Sequence, residues 1–175
     1  MVKKAMLKSY CKINLFLKVL GKNNNKLHNI QSTTMLLALH DKIIIKKIKK
    51  TKDKIIFNGT FKKSIKNNKN TVISALSLLR AQNFIKPNNR YEIVINKKVP
   101  VFAGLGGGTA NAVTIIKYFL KNKISSKLLE IFEKEIGSDL RLFFLNHSFQ
   151  KNLKEINSFK KRKKFFFLLI YPNIK

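Results

Sequence analysis

The chain has 175 residues, with 37 Lys and Arg against eight Asp and Glu, a formal charge of +29 and 45% hydrophobic residues. That apolar share supports a buried core and excludes a disordered basic tail, and one cysteine with three scattered histidines excludes a disulfide scaffold and a Cys- or His-built metal centre. No apolar run has the length of a membrane span, and the opening Met1-Val2-Lys3-Lys4 lacks the apolar stretch of a signal peptide, so a soluble protein of the cytoplasm is expected.

In chain order, Cys11 to Val19 alternates. Cys11, Ile13, Leu15, Leu17 and Val19 share one face, which predicts a strand with that face buried and Lys12 on the exposed side. Gly21 to Asn25 is a turn-rich loop. Ile30 to Leu39, Lys42 to Ile48 and Lys54 to Asn58 read as three further strands. Asn70 is a good N-cap for a helix from Thr71 to Gln82, with Ile73, Leu76 and Leu79 on one face. Arg90 to Lys97 alternates again. Pro100 to Gly108 is a loop, and an amphipathic helix follows from Thr109 to Leu120. Ser126 caps another helix, which ends at Gly137. Phe165 to Tyr171 is an apolar run of strand length, stopped by Pro172. The irregular alternation of strands and helices points to an α+β fold rather than a doubly wound sheet.

The positive charge is almost all Lys, spread along the chain together with abundant Asn, Ile and Phe. Residues with A/T-rich codons rising together indicate compositional drift rather than selection for phosphate contacts. The densest runs, Lys46-Lys47-Ile48-Lys49-Lys50 and Lys160-Lys161-Arg162-Lys163-Lys164, lack the interleaved aromatics of a single-strand binding platform. No specific nucleic-acid partner and no membrane partner is expected. The field does favour anionic small molecules such as nucleotides.

Four of the seven glycines lie in Gly104-Leu105-Gly106-Gly107-Gly108. Glycine lets a backbone approach a ligand closely. This loop opens a helix, whose N-terminus offers unpaired N–H groups and a positive dipole end. The combination suits phosphate binding. It is not a Walker loop, because no Lys follows the last glycine, and the third glycine of the dinucleotide fingerprint is missing.

Pro100-Val101-Phe102-Ala103-Gly104-Leu105-Gly106-Gly107-Gly108-Thr109-Ala110-Asn111-Ala112 closely resembles the Pro-x-x-x-Gly-Leu-Gly-Gly-Gly-Ser-Ser-x-Ala motif of the GHMP kinases. Lys12-Ile13-Asn14-Leu15-Phe16-Leu17, then His28 and Gln31, is similar to the opening of one branch of that family. The branch phosphorylates a cytidine-diphosphate-linked sugar alcohol in the non-mevalonate route to isoprenoids. Gly137-Ser138-Asp139, with Phe143-Phe144 after it, resembles that branch's Gly-Ala/Ser-Asp-Val-Pro-Phe-Phe segment. Mevalonate and homoserine kinases share the glycine motif but not the opening. An RNA-binding domain is the other class to weigh, because the family's N-terminal fold is like that of a ribosomal protein.

The resemblance implies a mixed sheet with helices on one face, ATP and Mg²⁺ as cofactors, and a small-molecule acceptor. It makes Asp139 the catalytic carboxylate and Lys12 its cationic partner. Pro100, Gly104, Leu105, Gly106, Gly107, Gly108 and Thr109 would hold the nucleotide. Asn70 aligns with an Asn near the adenine site, although its capping role explains it equally well. Asn14 and His28 match substrate-binding positions. Three departures stand out: Leu27 replaces a Tyr before His28, Thr109-Ala110 replaces Ser-Ser, and Arg141 brings a cation two residues from Asp139.

The resemblance covers nearly all of this chain but only the first part of the family's usual length. Residues 1–155 are expected to form the ATP-binding domain, and residues 156–175, with the strand Phe165–Tyr171, to begin a second, truncated one. A piece of a longer protein, inactive by itself, is the expectation.

Overall fold

The computed structural model describes residues 4–22, 28–63, 65, 69–121, 124–152, 155–159 and 164–172, and the side chains of Lys22 and His28 lie outside the described residues. One mixed sheet carries three helices. Its strands are β1 (Lys4–Lys22), β2 (His28–Ile48), β3 (Lys54–Asn58), β4 (Arg90–Asn96), β5 (His147–Gln150) and β6 (Ile156–Ser158). The helices are α1 (Thr71–Ala81), α2 (Gly107–Leu120) and α3 (Ser126–Ile136).

The spine is β2. It pairs antiparallel with β1 along most of its length, with β4 through Lys42–Ile48, and with β5 through Ser32–Met35. β3 runs parallel to β4, and β6 closes the other edge on β5. The expected strands Ile30–Leu39 and Lys42–Ile48 are therefore one strand. The polar pair between them makes no break, because Asp41 is fully buried and its carboxylate is satisfied from the β4–α2 connection.

The core lies between the helices and the face carrying Ile43, Ile45, Ile93 and Ile95. α1 presents Val72, Ala75, Leu76 and Leu79 at helical spacing, and the Asn70 side chain accepts hydrogen bonds from the Val72 and Ile73 N–H groups, both at 3.1 Å. α2 is buried on most of its circumference, as suits a central helix. It starts at Gly107, two residues before the expected Thr109. α3 is capped by Ser125, one residue before the expected Ser126, and its Leu128, Phe132 and Ile136 face the core.

β1 departs from its expected pattern. Cys11 is buried and Ile13 half-buried, but Leu15, Leu17 and Val19 are exposed, and Lys12 is buried. Register shifts lie between Tyr10 and Lys12, between Asn14 and Phe16, and between Val19 and Gly21. Such irregularities re-aim side chains, so a strict alternation read from Cys11 to Val19 fails. Two more strands and a 3₁₀ turn, Leu140–Phe144, follow α3 where the sequence shows no regular pattern. β6 lies in the same sheet as the other strands, paired with β5. Phe165–Tyr171, expected as a strand, makes no strand pairing among the described residues, and its apolar side chains are exposed.

Candidate active site

The glycine loop is held from both sides. The Lys12 N–H donates to the Leu105 carbonyl at 3.0 Å, which ties the loop to β1. On the other side the Thr71 hydroxyl donates to the Gly108 carbonyl at 2.8 Å, which ties it to the start of α1. Gly106 is the N-cap of α2 and has φ +65°, a left-handed conformation that glycine tolerates best. A Cβ placed there would lie 2.6 Å from Cζ of Phe143 and 3.5 Å from Cγ of Lys12. The loop packs this closely because Gly106 lacks a side chain.

Along this loop runs a cavity of about 440 Å³. Its polar lining is the backbone of Gly104–Gly108 with Thr109, Asn70, Lys69 and Lys97; Pro100, Val101, Phe57 and Ile65 supply apolar surface. The expected nucleotide-binding residues Pro100, Gly104, Leu105, Gly106, Gly107, Gly108, Thr109 and Asn70 thus all line one cavity. Asn70 does so while also capping α1.

Lys12 and Asp139 come together across the loop, with Nζ 3.4 Å from Oδ2. The Lys12 side chain is 8% exposed and that of Asp139 39%. Lys12 also donates to Asn14 Oδ1 at 2.5 Å, Asn14 Nδ2 donates to Ser32 Oγ at 2.6 Å, and Ser32 donates to the Phe16 carbonyl at 2.8 Å. This chain of hydrogen bonds fixes the ammonium from the β1 side. Asp139 is fixed by the 3₁₀ turn that follows it, which buries Leu140, Leu142 and Phe143. Lys117 of α2 donates to the Phe143 carbonyl at 2.6 Å and locks that turn against the helix; burial pushes the Lys117 ammonium below its ordinary pKa. Arg141 does not serve as a second cation for Asp139. Its Nε donates to Glu133 of α3 at 2.8 Å. The backbone of His28 opens β2, and its side chain lies outside the described residues.

Two residues of the site escaped the sequence reading. Lys97, almost fully buried, lines the cavity and pairs with the buried Asp41. Its Nζ would lie 3.4 Å from a Cβ on Gly107. A usable signal existed: Asp41 is one of only eight acids, and it interrupts a long apolar strand. Asn111, also buried, lines the cavity from α2, and its Oδ1 has no hydrogen-bond partner among the described residues.

The Lys12–Asp139 pair, beside a glycine-rich loop at a helix N-terminus, has the kind of parts that phosphoryl transfer uses, since that chemistry depends on positioning and charge neutralisation. Residues 70–140, spanning α1, the loop and Asp139, match the family described as GHMP kinases N terminal domain. Over those residues the chain has the fold of a GHMP-kinase N-terminal domain.

Among curated relatives, the 4-diphosphocytidyl-2-C-methyl-D-erythritol kinase of Pelagibacter ubique is 37% identical over 172 residues, covering 95% of this chain and 60% of the relative. The enzyme of that name from Buchnera aphidicola is 35% identical, with 95% and 59% covered. The chain thus spans about 60% of the length of these relatives. Among solved structures, a 4-(cytidine 5'-diphospho)-2C-methyl-D-erythritol kinase superposes with TM-score 0.67 at 21% identity, over 89% of this chain and 55% of the other. The mevalonate kinase of Methanococcus jannaschii gives TM-score 0.62 at 20% identity, over 91% and 56%. At those identities the structures establish the GHMP fold alone. No helix among the described residues is long and apolar enough to cross a membrane.

Proposed function

We propose that this GHMP-kinase domain binds ATP on the glycine loop and directs its γ-phosphoryl group to the 2-hydroxyl of 4-diphosphocytidyl-2-C-methyl-D-erythritol. The observation that carries the reading is the Lys12–Asp139 pair, 3.4 Å apart beside Gly106. The acceptor is taken from the names of the relatives that match most of this chain.

On this reading Asp139 accepts the proton of the attacking hydroxyl. The new bond joins that oxygen to the γ-phosphorus, the bond to the β-phosphate oxygen breaks, and ADP leaves. Lys12, charged and fixed by Asn14, stabilises the negative charge beside Asp139 and the transferred group. On this reading Asn14, which holds Lys12, also contacts the acceptor. Among the described residues no three His, Cys, Asp or Glu side chains gather as a metal site. A Mg²⁺ ion would instead be carried on the nucleotide's phosphates, with the Thr109 hydroxyl on the cavity wall as a candidate protein-side ligand. The sheet and helices, through β6, form the nucleotide-binding domain. The exposed apolar run Phe165–Tyr171 opens a second one.

The test is equilibrium binding of Mg-ATP together with single-turnover transfer to the sugar alcohol, with the chain in excess so that even a slow step is read. Asp139→Asn keeps ATP affinity and lowers the transfer rate by roughly 10²–10⁴. Transfer within a few-fold of the parent chain would remove Asp139 from the chemistry.

A further inference from the structure

Three non-glycine residues among those described have positive φ: Asn83, Phe102 and Lys121. Two have a local reason. The Asn83 N–H donates to the Arg80 carbonyl just past α1, and Lys121 caps α2 by donating to the Lys117 carbonyl. Phe102 ends no helix. It lies in the loop between β4 and α2 with φ +61°, a region that a bulky side chain occupies only under strain. Its ring is also 90% exposed, so no burial offsets that strain.

The ring stands at a particular place. Phe102 lines the same cavity as the glycine loop and lies two residues before Gly104. The apolar part of that lining, Phe57, Ile65, Pro100 and Val101, offers nothing to a phosphate but suits a flat, uncharged ring system. A nucleotide whose phosphates rest on Gly104–Thr109 carries its base one ribose away. We infer that Phe102 is a stacking surface for the nucleotide base, an assignment that rests on the reading of this cavity as an ATP site. Every base has a π-face, so such stacking adds affinity without selecting adenine over guanine. Selection between bases falls to the polar groups of the lining.

The experiment compares two ligands on the whole chain by titration calorimetry: Mg-ATP, and Mg-tripolyphosphate, which lacks a base. Phe102→Ala weakens ATP roughly 5- to 100-fold and changes tripolyphosphate less than about twofold, while Phe102→Trp keeps ATP near its parent affinity. Phe102→Gly loses ATP as Phe102→Ala does but melts at a higher temperature than Phe102→Ala, because glycine relieves the left-handed strain. If Phe102→Ala binds ATP as the parent does, the assignment is overturned. It is overturned equally if that variant loses both ligands in parallel, since Phe102 then only shapes the loop. A parent chain that holds tripolyphosphate as tightly as ATP removes the base contact and leaves the phosphate cradle standing. A parent chain that holds neither removes the ATP reading itself.

Discussion

Two Lys–Asp pairs flank the glycine loop. Gly106 lies against Lys12, which pairs with Asp139; the next residue, Gly107, lies against Lys97, which pairs with Asp41. In the second pair both side chains are almost fully buried, and Asp41 Oδ1 also accepts the N–H groups of Lys98 and Val99 at 2.7 and 2.9 Å. Three donors and complete burial leave that carboxylate closed to a ligand. In the first pair Asp139 is 39% exposed. Composition is the same in both, and surroundings separate them: a closed pair holds the loop in shape, and an open pair keeps a carboxylate available to a substrate. A buried charge that is fully paired stabilises only while both partners remain, whereas an exposed one tolerates loss of its partner.

The largest expected effect therefore falls on the closed pair. Asp41→Asn leaves the Lys97 ammonium buried without a countercharge, and unfolding in urea should show a loss of about 3–5 kcal/mol. Replacing both partners with apolar residues of similar size, Asp41→Leu with Lys97→Met, should recover part of it, because no buried charge is then left alone. A single-variant loss below about 1 kcal/mol would mean that water reaches this pair and that the contrast is wrong.

The contrast also marks how far the sequence could be read. The glycine loop, the α1 core residues Leu76 and Leu79, and the presence of all three helices were legible, because glycine density, helical spacing and capping are local signals. Lys12 and Asp139 were legible only as parts of motifs; their distance depends on a sheet and a 3₁₀ turn formed by residues more than a hundred positions apart. The closed pair went unread, because Asp41, for all its scarcity as an acid, fell between two segments that read as separate strands. In fact its carboxylate is satisfied by backbone more than fifty residues away, which lets β2 run through. β1 misled for a related reason: its register shifts turn Lys12 inward and leave Leu15 and Leu17 exposed.

The next effect reads the closed side from β1. Cys11 precedes Lys12, is fully buried, and packs with Leu37 and Val99. Burial raises its thiol pKa from 9.0 to about 11; a backbone hydrogen bond works against the shift, Asp41 adds to it and Lys97 subtracts. The sign follows from proton counting. Between pH 9 and 11 the unfolded chain has released the thiol proton and the folded chain still holds it, so stability falls as pH rises through that window. The contribution is about 2–3 kcal/mol over the two units. Many lysines and tyrosines titrate there as well, so the measurement is a difference. The stability gap between the parent chain and Cys11→Ala should shrink from pH 9 to pH 11, and a gap that stays flat would show that Cys11 meets water as readily as Asp139 does.

The smallest effect is expected on the open pair. Asp139→Asn removes a charge that solvent already screens in part, and its Lys12 partner keeps the 2.5 Å bond to Asn14 together with a neutral oxygen at position 139. With Lys12 buried and Asp139 partly exposed, the pair lies between exposed pairs, about 0.2–1 kcal/mol, and buried ones, about 3–5 kcal/mol, so the same urea titration should move by about 1–2 kcal/mol. The value is informative because it is small. A carboxylate that adds little to folding, beside a loop too tight for a side chain, would be free to serve a ligand, as the proposed function requires. A loss near that of Asp41→Asn would place Asp139 among the struts of the loop, and the open pair would then be a second closed one.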